Sequence, residues 1–182
     1  MSAHVFIALL RAVNVGGRSV PMADLRTMLS EAGCDNPRTL LQSGNAVITM
    51  SGKTSSAALE KTLEKEAQRR FGFDIAFMLR TAAEWDAIVA GNPFPEAAKN
   101  DPAHLVVMAL KAAPTAAAIT ALRDGYKGPE TIHVAGRNAY MIYPEGIGTS
   151  KLTNALIERR LGMAGTARNW NTMLKLAALA AT

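Results

Sequence analysis

Two six-residue runs, Val5 to Leu10 (VFIALL) and Leu105 to Leu110 (LVVMAL), are apolar from end to end. Their continuity fits strands buried on both faces, because a strand with one wet face alternates polar and apolar side chains. Each such strand must be flanked by others and covered by helices, so the runs divide the chain into two candidate halves. After the first run, Arg11 leads into Asn14-Val15-Gly16-Gly17-Arg18, a turn suited to positive φ. Pro21 then suits the opening of a helix that turns Met22, Leu25, Met28 and Leu29 inward and stops at Gly33. Thr39–Gln42 and Ala46–Met50 read as short strands joined through Ser43-Gly44-Asn45. A helix is expected from Ser56 to Phe71, with Leu59, Leu63 and Ala67 on one face and Gly72 at its end, followed by a strand at Ile75–Leu79. The order β-α-β-β-α-β over residues 1–81 predicts a ferredoxin-like unit, an antiparallel sheet with two helices on one face.

Residues 82–182 read as a second α+β unit. A short helix from Ala82, carrying Trp85, Ile88 and Val89, leads to Asn92-Pro93-Phe94-Pro95, whose prolines end it and suit a junction or hinge. The second apolar run follows, then a helix at Pro114–Leu122 and a hairpin of Thr131–Ala135 and Ala139–Tyr143 around Gly136-Arg137-Asn138. The tail reads as two helices in succession, which gives β-α-β-β-α-α. The expected fold class is therefore α+β, with two ferredoxin-like-related halves built on antiparallel sheets and the second half ending in a basic helical pair. No sequence repeat accompanies this echo.

Composition narrows the function classes. No stretch approaches the ~18 to 20 apolar residues needed to cross a bilayer, and the N-terminus lacks the pattern of a signal peptide. The single cysteine, Cys34, suits a reducing compartment and leaves no internal disulfide. A cytoplasmic, membrane-free protein is expected. The net charge is +5, and residues 146–182 hold five Lys and Arg against one Glu, a field that steers anions toward the tail. His4, His104 and His133 show no spacing suited to a shared metal, and the sequence identifies no particular cofactor. The first and third strands carry Phe6 as their one aromatic residue, so the stacking platform of RNA-binding ferredoxin-like sheets is missing.

The tail also carries the strongest site signal. Gly146-Ile147-Gly148 leads through Thr149 and Ser150 into Leu152, Leu156, Ile157 and Leu161, which puts Lys151 in an expected first helical turn. Gly165-Thr166-Ala167 leads through Arg168 and Asn169 into Trp170, Met173, Leu174 and Ala177, which puts Arg168 at a second entrance. A cation at a helix start opposes the dipole unless an anion sits between, so the two segments are read as an anion cradle. Ser150, Asn169 and Asn171 supply hydrogen bonds, Trp170 a flat surface, and Lys175 further charge. The order of Ser150 and Lys151 is wrong for a nucleotide-binding phosphate loop. Arg11, Asn14, Gly16, Gly17 and Arg18 are candidates to meet the same ligand, as are Gln42, Ser43 and Asn45, although these also suit plain turns. The ligand class is an anionic small molecule or a nucleic-acid backbone. An enzyme acting on a phosphorylated or carboxylated substrate, and an interaction protein that is monomeric or homodimeric, are the alternatives.

Five segments, Leu10 to Gly17, Gln42 to Asn45, Asn92 to Phe94, Gly148 to Thr153 and Thr166 to Lys175, together resemble domain-of-unknown-function family 1697, found mainly in bacteria. Ala12-Val13 departs from the more usual Gly-Ile at that place. The resemblance implies a soluble two-part α+β fold and brings no established activity with it.

Overall fold

The computed structural model describes residues 3–182. Its elements run β1 (Ala3–Leu10), α1 (Met22–Glu31), β2 (Asp35–Thr39), β3 (Asn45–Ser51), α2 (Ser56–Phe71), β4 (Phe77–Thr81), α3 (Ala82–Ala90) and α4 (Pro95–Asn100). There follow β5 (Leu105–Leu110), α5 (Ala116–Gly125), β6 (Thr131–Ala135), β7 (Asn138–Ile142), a 3-10 turn at Ile147–Thr149, α6 (Asn154–Leu161), β8 (Gly165–Asn169) and α7 (Trp170–Ala180). The chain forms two compact units, one running to Ala87 and adding Lys175–Thr182, the other Ile88–Leu174. The division falls inside α3, six residues after the 81/82 boundary expected from sequence.

In the first unit the antiparallel sheet has the order β2-β3-β1-β4. Phe6, Ala8 and Leu10 meet Leu25 and Leu29 of α1 and Leu59, Leu63 and Ala67 of α2, while Ile7 and Leu9 on the other face are buried as well. That double burial is what the unbroken apolar run foretold. α2 has the expected bounds, with Ser55 accepting from the Ala58 N–H at its start and left-handed Gly72 at its end. Two of its glutamates reach the outer edge of the sheet at β4. The β4 N–H groups of Phe77 and Leu79 donate to Glu64 (2.9 Å) and Glu60 (2.7 Å), and that of Thr81 donates to Glu84 of α3 (2.7 Å).

β2 differs from expectation, lying at Asp35–Thr39 instead of Thr39–Gln42. An edge strand with a bulge accommodates Pro37, and the pairing with β3 shifts register between Asp35 and Arg38.

The second unit has the matching order β6-β7-β5-β8, also antiparallel. Val106, Met108 and Leu110 pack with Leu122, Ile157 and Leu161. The fold class is as expected, but the sheet is more complete than the sequence implied, because Gly165–Asn169 is a strand and no helix enters at Arg168. Helical spacing begins only at Trp170, and the five residues before it become a strand because β5 offers them a hydrogen-bonding edge. The halves then correspond closely. Arg80 of β4 stands opposite Ile7 and Arg168 of β8 opposite Val107. Each fourth strand feeds a helix whose start is capped by its last residue, Thr81 accepting from Glu84 N–H and Asn169 from Thr172 N–H. α6 also starts later than expected, at Asn154 with Thr153 as its cap, so Lys151 precedes the helix instead of sitting in its first turn. α4 was not foreseen, and Pro95 is its first residue.

Candidate functional site

In the second unit two loops enclose a cleft of about 470 Å³. One loop, Tyr126 to Glu130, joins α5 to β6, and the other, Glu145 to Lys151, joins β7 to α6. Thr149 donates to the Glu145 carbonyl at 3.1 Å, holding the 3-10 turn closed. Beyond it, Ser150 accepts from the Leu152 N–H at 2.9 Å and donates to Oε1 of Glu130, while Tyr126 donates to the other carboxylate oxygen. Tyr143, buried below, donates to the Leu152 carbonyl at 3.0 Å and ties this loop to β7.

Gly128 allows the Tyr126–Glu130 approach. A Cβ placed there would lie 2.1 Å from the tyrosine oxygen and 2.5 Å from Oε2 of Glu130, so any side chain would displace the pair. Partial burial pushes the Glu130 carboxyl up, but hydrogen bonds from Ser150 and Tyr126 outweigh it and hold the group below its ordinary value. It is a carboxylate at neutral pH. Lys127, Glu145 and Lys151 complete the polar lining and are exposed. A cleft of this volume suits a small molecule.

The tail's other candidate segment does not line this cleft. Arg168 is buried in β8, donates to Thr166 Oγ1 (2.7 Å) and the Ala167 carbonyl (2.8 Å), and burial pushes its guanidinium down to about 10. It is no cation at a helix entrance, which removes the dipole argument for it. Asn169 spends its side-chain oxygen on the α7 cap and Trp170 is buried, while Asn171 and Lys175 are exposed on α7.

The first unit brings its two candidate loops together. Asn14 Nδ2 donates to the carbonyls of Val20 (3.0 Å) and Gln42 (2.6 Å), and its Oδ1 accepts from the Val20 N–H (2.8 Å). Gly16 and Gly17, both at positive φ, form a two-residue turn closed by the Val15–Arg18 bridge. Arg18 lies 4.7 Å over the Phe73 ring and donates to the Asp74 carbonyl. Asn45 donates to the Leu40 carbonyl (2.7 Å) and to Ser43 Oγ (3.0 Å), and the Arg11 N–H donates to the Ala76 carbonyl (2.9 Å). A shallow hollow of about 250 Å³ lies over Asn14 to Ser19, but the groups bordering it hold the loop itself in shape.

Sequence reasoning missed Tyr126, Lys127, Glu130 and Glu145. Gly128-Pro129 announced a turn there, yet nothing local shows that Glu130 meets Ser150 twenty residues on. Cys34 is buried and its thiol is pushed up to about 11, mainly by burial and further by Asp35, so it is a poor nucleophile.

The paired sheets and this cleft define an α+β protein of two similar halves with a polar pocket in the second. The chain belongs to the family described as Protein of unknown function (DUF1697), whose model matches residues 3–140. It also resembles the conserved bacterial protein SP0830 from Streptococcus pneumoniae, at 20% identity over 100% of both chains with a TM-score of 0.76, a likeness of fold. The sequence matches no curated protein. Among the described residues no helix is long and apolar enough to cross a membrane.

Proposed function

We propose that the second unit is a binding module for a small metabolite bearing a phosphate or carboxylate together with a hydroxyl or amine. Lys151 and Lys127 take the anionic end, and Glu130 accepts from the donor end, since each carboxylate oxygen can accept a second hydrogen bond. The observation that carries this reading is Ser150-Lys151 set against an ionised Glu130 inside a cleft of small-molecule size. A bare anion is a poorer fit, because Glu130 and Glu145 line the same cleft and repel it. Two lysines balanced by two glutamates also lack the excess positive field that a nucleic-acid backbone needs. An enzymatic reading calls for a proton carrier near neutrality, and Glu130 is held in the opposite direction.

Thermal shift followed by calorimetric titration with hydroxy acids, amino acids and sugar phosphates tests the proposal. A stabilising ligand should lose most of its effect in Lys151→Ala and Glu130→Gln, and part of it in Gly128→Ala, which displaces Tyr126. Inorganic phosphate alone should bind more weakly. A ligand shift that survives unchanged in Lys151→Ala sinks the reading.

A further inference from the structure

The two sheets present four edge strands, and three of them are blunted. β4 gives three outward N–H groups to Glu64, Glu60 and Glu84. β8 gives its first to Glu158 of α6 at 2.9 Å, and β2 carries Pro37 and a bulge. Such devices keep exposed edges from pairing with other chains. β6, Thr131-Ile132-His133-Val134-Ala135, has none of them. It contains no charge and no proline, and no hydrogen bond is made along its outer edge by the described residues.

Its register fixes what fits. β6 and β7 form a hairpin closed by the Ala135–Asn138 pair around two residues, so Thr131, His133 and Ala135 direct their backbone groups toward β7. Ile132 and Val134 therefore direct theirs outward, while their side chains pack against the core of the unit. An antiparallel copy of the same strand, related by a two-fold axis at His133, is complementary to this edge. Ile132 then faces Val134 of the second copy, both outward N–H groups meet outward carbonyls, and the apolar side chains stay on one face. Glu130 of each copy falls beside the Gly136-Arg137 turn of the other, which adds opposite charges at both ends.

We propose that the outer edge of β6 is a self-association surface, through which two copies of this chain join their second sheets across a two-fold axis at His133. The edge offers only the outward backbone groups of Ile132 and Val134, so the pairing is of the reversible kind and its extent follows concentration.

Cross-linking reads the register directly. Across the axis, residue 133 faces its own copy as a non-hydrogen-bonded pair with Cα atoms about 4.5 Å apart, within disulfide range. Under mild oxidation His133→Cys should give a disulfide-linked dimer of two 19.3 kDa chains, whereas Thr131→Cys, placed opposite Ala135, should not. Buried Cys34 keeps the parent chain unlinked as the control. In sedimentation, the parent should pass from monomer to dimer with concentration, and Val134→Pro, which removes one outward N–H, should stay monomeric. Lys in place of the exposed residue, His133→Lys, should do the same by setting like charges opposite one another, and it guards against a folding defect in the proline variant. A parent chain monomeric at all concentrations overturns the proposal, as does a dimer that both variants leave intact or equal cross-linking at 131 and 133.

Discussion

In the first unit the turn before β3 is packed hard, since a Cβ on Gly44 would lie 2.6 Å from Val13 Cγ2 and 2.8 Å from Leu10 Cβ. The corresponding turn before β7 is open, and a Cβ on Gly136 would meet nothing within 4 Å. The same contrast runs through the loops. Asn14 spends both ends of its amide on backbone and locks the first unit's glycine loop, whereas Ser150 and Tyr126 in the second unit spend their hydroxyls on a carboxylate facing a cleft. The two halves share strand order and the fourth-strand arginine, yet differ in whether loop polarity is used to hold the backbone or is left on a solvent-facing surface. The shared sheets account for stability, and the loops are free to diverge.

The sharpest test of this contrast is a pair of glycine replacements. Gly44→Ala combines a left-handed backbone with overpacking and should cost about 3 kcal/mol or more, while Gly136→Ala should cost about 1 kcal/mol from backbone alone. Equal losses in urea unfolding would erase the distinction. Next in size is the sealed β4 edge. Glu60→Leu strands the buried Leu79 N–H and should cost about 1–3 kcal/mol, more than Glu158→Leu, whose part-buried bond from Gly165 N–H on β8 corresponds in register to that of Phe77 on β4. The helix caps should not distinguish the units, so Ser55→Ala and Thr153→Ala should each lower stability by about 1 kcal/mol. Unequal values would mean that the helices are not equivalent supports.

The smallest effect belongs to Glu130. Its carboxyl is held below the ordinary value, so its contribution to stability is complete above the unfolded-state pKa and disappears as pH falls through the folded-state value. The parent's unfolding midpoint should therefore drop more steeply than that of Glu130→Gln as pH falls through and below the ordinary glutamate value of about 4.3. Parallel curves would show that the Tyr126–Glu130–Ser150 contacts contribute nothing in solution.

The legible parts of the sequence were those governed by local spacing. The doubly buried β1 and β5, the full extent of α2 with Gly72 at its end, and the inward faces of α1 and α6 follow from neighbours a few residues apart. Of the tail segment singled out in the sequence, Thr149, Ser150 and Lys151 line a cleft, but its partner loop and Glu130 come from a distant part of the second unit. Arg168 shows the opposite failure. Its glycine-rich approach and the helical spacing beyond it suggested a helix entrance, and pairing with Val107 made it a strand residue buried in the sheet.

The chain by itself determined two apolar strands, the helices that cover them and membership of one family, since periodicity and capping act over a few residues and need no partner. Only the tertiary structure decided that 165–169 completes the second sheet, that β2 precedes Leu40, and that Ser150 meets Glu130. Each of these depends on hydrogen-bonding groups brought together from far apart in the sequence, and a strand edge or a carboxylate acquires its neighbours only when the sheet has formed.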